Sequence, residues 1–170
     1  MKLYRTKIPD IARDAIAALT AEEFIEVNNR EEAERDLEAI MEEFSRRDGD
    51  FRNRIRDYMS NRNIPYNEYG QVRKRMAEQM GHPVGDDIER FLCRQFVENM
   101  MISRFVDEVY AEDRVIYRKL MEVLRSHDVD EREIREEAAT KVKNVTEGTV
   151  DYEIALQNAM REVRKRRGLL

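Results

Sequence analysis

Residues 146–169 read TEGTVDYEIALQNAMREVRKRRGL, and this stretch decides the fold class. Its apolar residues Tyr152, Ala155, Leu156, Ala159, Met160 and Val163 recur at intervals of three and four. That spacing lines one stripe of an α-helix. Asp151 stands where an N-cap would accept from the first free amides. Arg164, Lys165, Arg166 and Arg167 fall at the negative end of the helix dipole, and Gly168 follows as a C-cap.

The same period recurs upstream. Ile8, Ile11, Ala12, Ala15, Ile16 and Leu19 form one stripe, with Pro9 near the first helical position. Asn29 followed by Glu32 reads as a capping box opening a helix through Ala33, Leu37, Ile40, Met41 and Phe44. Asp48-Gly49-Asp50 is expected to break that helix, and a short one over 51–62 follows with Phe51, Ile55, Tyr58 and Met59. Asn63-Ile64-Pro65 turns the chain, and another helix runs to about Met80.

Residues 81–85, GHPVG, are the clearest loop. Asp86 then caps the longest expected helix, 87–110, apolar on more than one face from Ile88 to Val109. A helix of that kind is usually the buried centre of a fold. Helices through Tyr117 to Leu124, over 130–144 and over the closing block complete the chain. The reading is an all-α bundle of seven or eight helices around the long 87–110 helix. It divides into an N-terminal half, 1–80, and a C-terminal half, 86–170, packed as one unit across a hinge at 81–85. A faint echo between the segments leading to Asp86 and to Asp151 suggests two similar halves.

Composition narrows the class. A 41% hydrophobic content suffices for a core in 170 residues, and 39% charged residues with a mean hydropathy of −0.79 imply a solvated surface. No apolar run approaches membrane-spanning length, and MKLYRTKIPD does not read as a signal peptide, so a cytoplasmic protein with no membrane partner is expected. Cys93 is the single cysteine, which excludes an intrachain disulfide, and Phe91, Leu92 and Phe96 around it suggest a buried thiol.

Charge is unevenly placed within a net of −5. Residues 22–43 carry ten acidic and two basic side chains, whereas 161–167 carry five basic and one acidic. Arg161, Arg164, Lys165, Arg166 and Arg167, helped by Arg52, Arg54 and Arg56, are the candidate partner-binding residues. Phosphate recognition needs cations arrayed on one face, which makes a nucleic-acid-binding accessory protein the alternative reading. Dipole compensation explains the basic end more simply. The acidic run lacks the loop spacing and central glycine of a calcium hand and reads as a solvated helix face.

A catalytic set is not legible: phosphate-loop glycines, a dinucleotide fingerprint and a nucleophile elbow are missing. One metal arrangement can be assembled on paper. His82, the adjacent His127-Asp128 and distant Asp151 follow the order of an all-helical metal-dependent phosphohydrolase, in which a metal-activated hydroxide attacks a phosphate ester. Both histidines fall in expected turns, while a working His-Asp pair would sit within a helix. The Met-rich Asn99-Met100-Met101-Ile102, with Met76 and Met80, reads as core packing before it reads as an adaptable groove.

Three segments taken together resemble a known family. They are Arg104 to Asp113 (RFVDEVYAED), Asp130 to Arg135 (DEREIR) and the closing TEGTVDYEIALQNAMREVRKRRGL. They resemble the bacterial family called domain of unknown function 507, with an aromatic expected near Val150 replaced here. The resemblance implies a small, helical, soluble bacterial protein and supplies no activity and no catalytic residues. The resulting expectation is a non-enzymatic helical interaction or regulatory protein. It implies no cofactor, has another protein as its partner, and is compatible with a homo-oligomer. Docking would follow charge complementarity onto the acidic 22–43 face or the basic end.

Overall fold

A computed structural model describes residues 1–142 and 145–170 of the chain. It is all-α apart from a small two-stranded ribbon. The first helix, α1 (Ile8–Ala21), starts with proline in its first turn and buries every residue of the expected stripe. A short strand, β1 (Ile25–Val27), leads to α2 (Arg30–Asn61). The side chain of Asn29 accepts from the Glu32 amide, so this cap forms as expected.

The break expected at 48–50 does not occur. Helix α2 runs unbroken for 32 residues, about 48 Å at 1.5 Å per residue. A lone glycine in a helix costs only about 1 kcal/mol, and two i, i+4 pairs span it. Arg46 reaches Asp50 and Arg52 reaches Asp48. Phe44 and Phe51, on either side of Gly49, both bury, so the apolar stripe crosses the glycine without a change of phase. The two helices expected here are one.

The chain turns at Asn63, which takes a positive φ of 51°, and returns as α3 (Tyr69–Met80) after a 3-10 turn. The second half of α2 and α3 share a small apolar cluster of Phe51, Ile55, Met59, Val72 and Ala77. They form a helical arm. Gly81 ends α3 in the left-handed region, φ 60°, where a side chain would be strained.

Helix α4 (Asp87–Met100) is shorter than the expected 87–110, and Asp86 makes no side-chain cap bond. The chain leaves the helix where the Ser103 amide donates back to the Asn99 carbonyl and the Ser103 hydroxyl donates to Asp36. Residues 106–109 then form β2 (Val106–Val109), antiparallel to β1, with Ile25 opposite Val109 and Glu26 opposite Glu108. Phe105, Val106 and Val109 suit either a helix or a strand by spacing. What decides is β1, some 80 residues away, which no local period reveals.

Next come α5 (Asp113–Ser126), α6 (Glu131–Ala139) and α7 (Val150–Arg166). The helix expected over 130–144 ends at Ala139, and residues 143–144 of that span lie outside the described residues. Thr149, not Asp151, caps α7 by accepting from the Tyr152 amide. Gly168, at φ 67°, closes it: Gly168 donates to Lys165 and Leu169 to Arg164, and Leu169 buries.

The principal core is built by α1, the first half of α2, α4 and α5, with Leu19, Leu37, Met41, Leu92, Phe96, Ile116 and Leu120 at its centre. A second cluster joins α6 and α7 through Ile134, Ala138, Leu156, Met160 and Val163, with Tyr4 inserted. Among the described residues, no helix is long and apolar enough to cross a membrane.

Candidate functional site

The basic end of α7 lies against α6. The two helices share one apolar cluster, and the end of α7 meets acidic residues along the length of α6. Arg164 donates to Glu131 at 2.6 Å, Arg167 to Glu137 at 2.7 Å and Arg166 to Glu137. Glu133 adds a longer contact to Arg167, and Lys165 pairs with Glu162. Arg161 alone of this group makes no ion pair among the described residues. The charge of four of the five candidates is therefore balanced in place. The sequence carried the signal: Glu133 and Glu137 are one helical turn apart, and a hairpin sets them beside the last turn of α7.

The other candidates lie on the arm. Arg52 pairs with Asp48 at 3.2 Å, and Arg56 bonds the Asn53 side chain. Arg54 lines a shallow groove of about 200 Å³ with Arg46, Arg47 and His82. Lys2 lies close enough to both groups to feel Arg164 from one and Arg52 from the other. Burial pushes its amine down from the usual range, Glu131 opposes this, and Arg164 and Arg52 add to the fall.

The histidines are separately engaged. The His82 ring stacks on Phe51, centroids 4.2 Å apart, with Phe44 at 5.9 Å and Asp48 Oδ1 at 3.2 Å from its Nε2. His127 Nε2 lies 2.9 Å from Asp14. Asp128 accepts from the Val129 amide, and Asp151 is exposed in the first turn of α7. Each histidine thus has its own single carboxylate. Among the described residues, no three His, Cys, Asp or Glu side chains converge to hold a metal.

One buried acid was not singled out by the sequence. Glu89 is buried, 6% exposed, and sits 3.3 Å from Arg125 and 3.7 Å from the Met1 amino group. Its neighbours on α4 gave no periodic signal for a buried acid. The Cys93 thiol is fully buried as expected, and burial, then Glu89, push it up to about 12. A thiol so placed is a poor nucleophile. Of the methionines, Met100 packs in the core, while Met80 and Met101 are exposed.

The acidic face centres on the ribbon and the first half of α2. Arg30–Glu34, Arg35–Glu32 and Lys119–Glu22 pairs offset part of it. Glu23, Glu31, Glu38 and Glu42 make no ion pair among the described residues. On the ribbon, Glu26 and Glu108 stand directly opposite, with Asp107 beside them. Tyr110 donates to Glu26 at 2.5 Å, and that bond, then burial, then Glu26, Glu108 and Asp107 raise its hydroxyl above the usual range. Beside this charge the loop into β2 exposes Ile102, at 83%, and Met101.

A cleft of about 340 Å³ opens at the root of the arm. The N-terminal stretch, α2, α3, the start of α4 and α6 all contribute to its wall, which includes Lys2, Arg52, Arg73 and Tyr69 together with Asp48 and Glu131.

The family model described as Protein of unknown function (DUF507) matches residues 1–169. No curated protein matches the chain.

Proposed function

The chain belongs to that DUF507 family, and because the family supplies no activity, we propose from the chain's own surface that it is a non-enzymatic docking protein. It binds a basic polypeptide segment on the acidic ribbon. The observation that carries this reading is the register that sets Glu26 against Glu108. Like charges directly opposite on a ribbon destabilise it. A stretch of only a few paired residues has little stability to spare, so an uncompensated pair there fits a partner that supplies the missing positive charge.

The apolar neighbours fit the same role. Ile102, Met101 and Tyr110 are exposed beside the charge, and an interface joins a desolvated apolar patch to a charged rim. Among the described residues each strand also has one edge without a ladder partner in this two-stranded ribbon, to which an extended segment can add. By contrast, the basic end of α7 is already matched by α6. The partner, the bacterial source and the cytoplasmic compartment belong to this proposal.

The test is affinity capture from a lysate of the native organism across a salt series. Wild type is compared with the double variant Glu26→Lys/Glu108→Lys and with Ile102→Asp. The expected result is a captured protein that is lost with either ribbon variant and at high salt, and retained by Arg161→Glu. Recovery of the bait alone, or capture indifferent to both ribbon variants, overturns the reading.

A further inference from the structure

We propose that the cleft at the root of the arm binds a nucleotide, its phosphate held by Lys2, Arg52 and Arg73 and its base laid on the Tyr66–Tyr69 pair.

The volume, about 340 Å³, lies at the small end of ligand sites. Three cations from three separate segments meet on its wall. The two carboxylates there are already engaged. Asp48 is shared by Arg52 and His82, and Glu131 by Lys2, Arg164 and Tyr4. Arg73 has no carboxylate partner among the described residues. Positive charge therefore exceeds negative at the cleft, and Lys2 is held there against burial and against Arg52 and Arg164. An entering phosphate relieves both costs.

The aromatic half follows from the arm. Tyr69 lines the cleft, and Tyr66 stacks on it with centroids 5.5 Å apart and planes 27° apart. Tyr66 is 67% exposed. An exposed ring backed by a second ring is a platform for a base, and such stacking tolerates any base because each has a π face. The surrounding field favours a polyanion. Residues 46–75 carry nine basic and four acidic side chains within a chain of net charge −5, and such a local field raises the concentration of phosphates. An acidic peptide shares the charge but has no use for the tyrosine pair.

The shared chemistry is a phosphate joined to a base, whether a free nucleotide or one within a single strand. The experiment has three probes: a fluorescein-labelled single-stranded oligonucleotide read by anisotropy, and adenosine monophosphate and inorganic phosphate read by calorimetry. Binding of the oligonucleotide alone assigns the site to a strand, and binding of adenosine monophosphate assigns it to the free nucleotide as well. Arg73→Glu and Tyr66→Ala each weaken binding about tenfold or more, whereas Arg161→Glu leaves it unchanged. Both positions are solvent-accessible, and far-UV circular dichroism checks that the variants fold. Failure of the oligonucleotide and the nucleotide to bind overturns the proposal. So does binding that survives both variants, or inorganic phosphate binding as tightly as the nucleotide.

Discussion

Arg164 near the end of α7 donates to Glu131 at the start of α6 across 2.6 Å, and its Nε reaches the Tyr4 hydroxyl at 3.2 Å. The guanidinium is largely buried, its side chain 14% exposed. One side chain thereby ties the N-terminal stretch, α6 and α7 together. A basic run that suggests phosphate binding on paper thus works as a clasp in the fold.

Truncating either partner leaves the other charge poorly solvated. Arg164→Ala is expected to destabilise the protein by about 1.5–3 kcal/mol, and Glu131→Ala by less because that carboxylate is more exposed. The pair is read by urea unfolding of both single variants and the double variant. A coupling above about 0.5 kcal/mol is expected for residues in direct contact. Strict additivity contradicts the clasp.

The start of α7 distinguishes two residues that sequence alone leaves equivalent. Thr149 accepts from the Tyr152 amide, while Asp151 lies inside the helix. Thr149→Ala is expected to cost about 1 kcal/mol. Asp151→Ala is expected to stay within about 0.5 kcal/mol, as an exposed change away from any cap. Thermal unfolding of the two variants decides, and the reverse order contradicts the assigned cap.

Cys93 supplies a pH-dependent prediction. Burial raises its thiol from the ordinary 9.0 to about 12. Between those values the unfolded chain loses this proton while the folded chain keeps it. The Cys93 contribution to stability is therefore full below pH 9 and falls as the pH rises toward 12. Comparing wild type with Cys93→Ala across this range isolates it from lysine and tyrosine titration: wild type loses stability more steeply. A thiol-specific reagent at neutral pH labels native protein slowly and unfolded protein fast. Fast labelling of the native state contradicts the burial.

Local spacing carried most of the fold because most of the core is helical. All six residues of the α1 stripe bury, and four of the six in the α7 stripe do. What escaped depended on distant partners. The ribbon needs Ile25 beside Val109, and the clasp needs α6 folded back on α7. The candidate surfaces were legible as charge but not as free charge. Arg166 and Arg167 look alike in sequence to Arg54 and Arg73, yet among the described residues only the former meet carboxylates of another helix. Tyr66 and Tyr69 gave no signal because their stacking requires the turn after Pro65.

The ribbon predicts a conflict between stability and function. Glu26 and Glu108 repel across the register, so Glu108→Lys replaces repulsion with attraction. The variant is expected to raise the melting temperature slightly while losing the captured partner. A lower melting temperature contradicts the register. A raised one with capture intact places the partner elsewhere.

Gly49 tests the continuity of α2. It lies within the helix, its φ is not positive, and an added Cβ meets nothing within 4 Å. Alanine there loses less conformational entropy on folding than glycine, and the expected gain is about 0.5–1 kcal/mol. Asp48-Gly49-Asp50 would be a plausible turn in a looser chain, and glycine in a turn often takes a positive φ that alanine resists. Gly49→Ala therefore separates the two conformations by sign. Stabilisation in urea unfolding, with helical circular dichroism unchanged, fits one 32-residue helix. Destabilisation means that the chain bends at Gly49 and that the arm is hinged there.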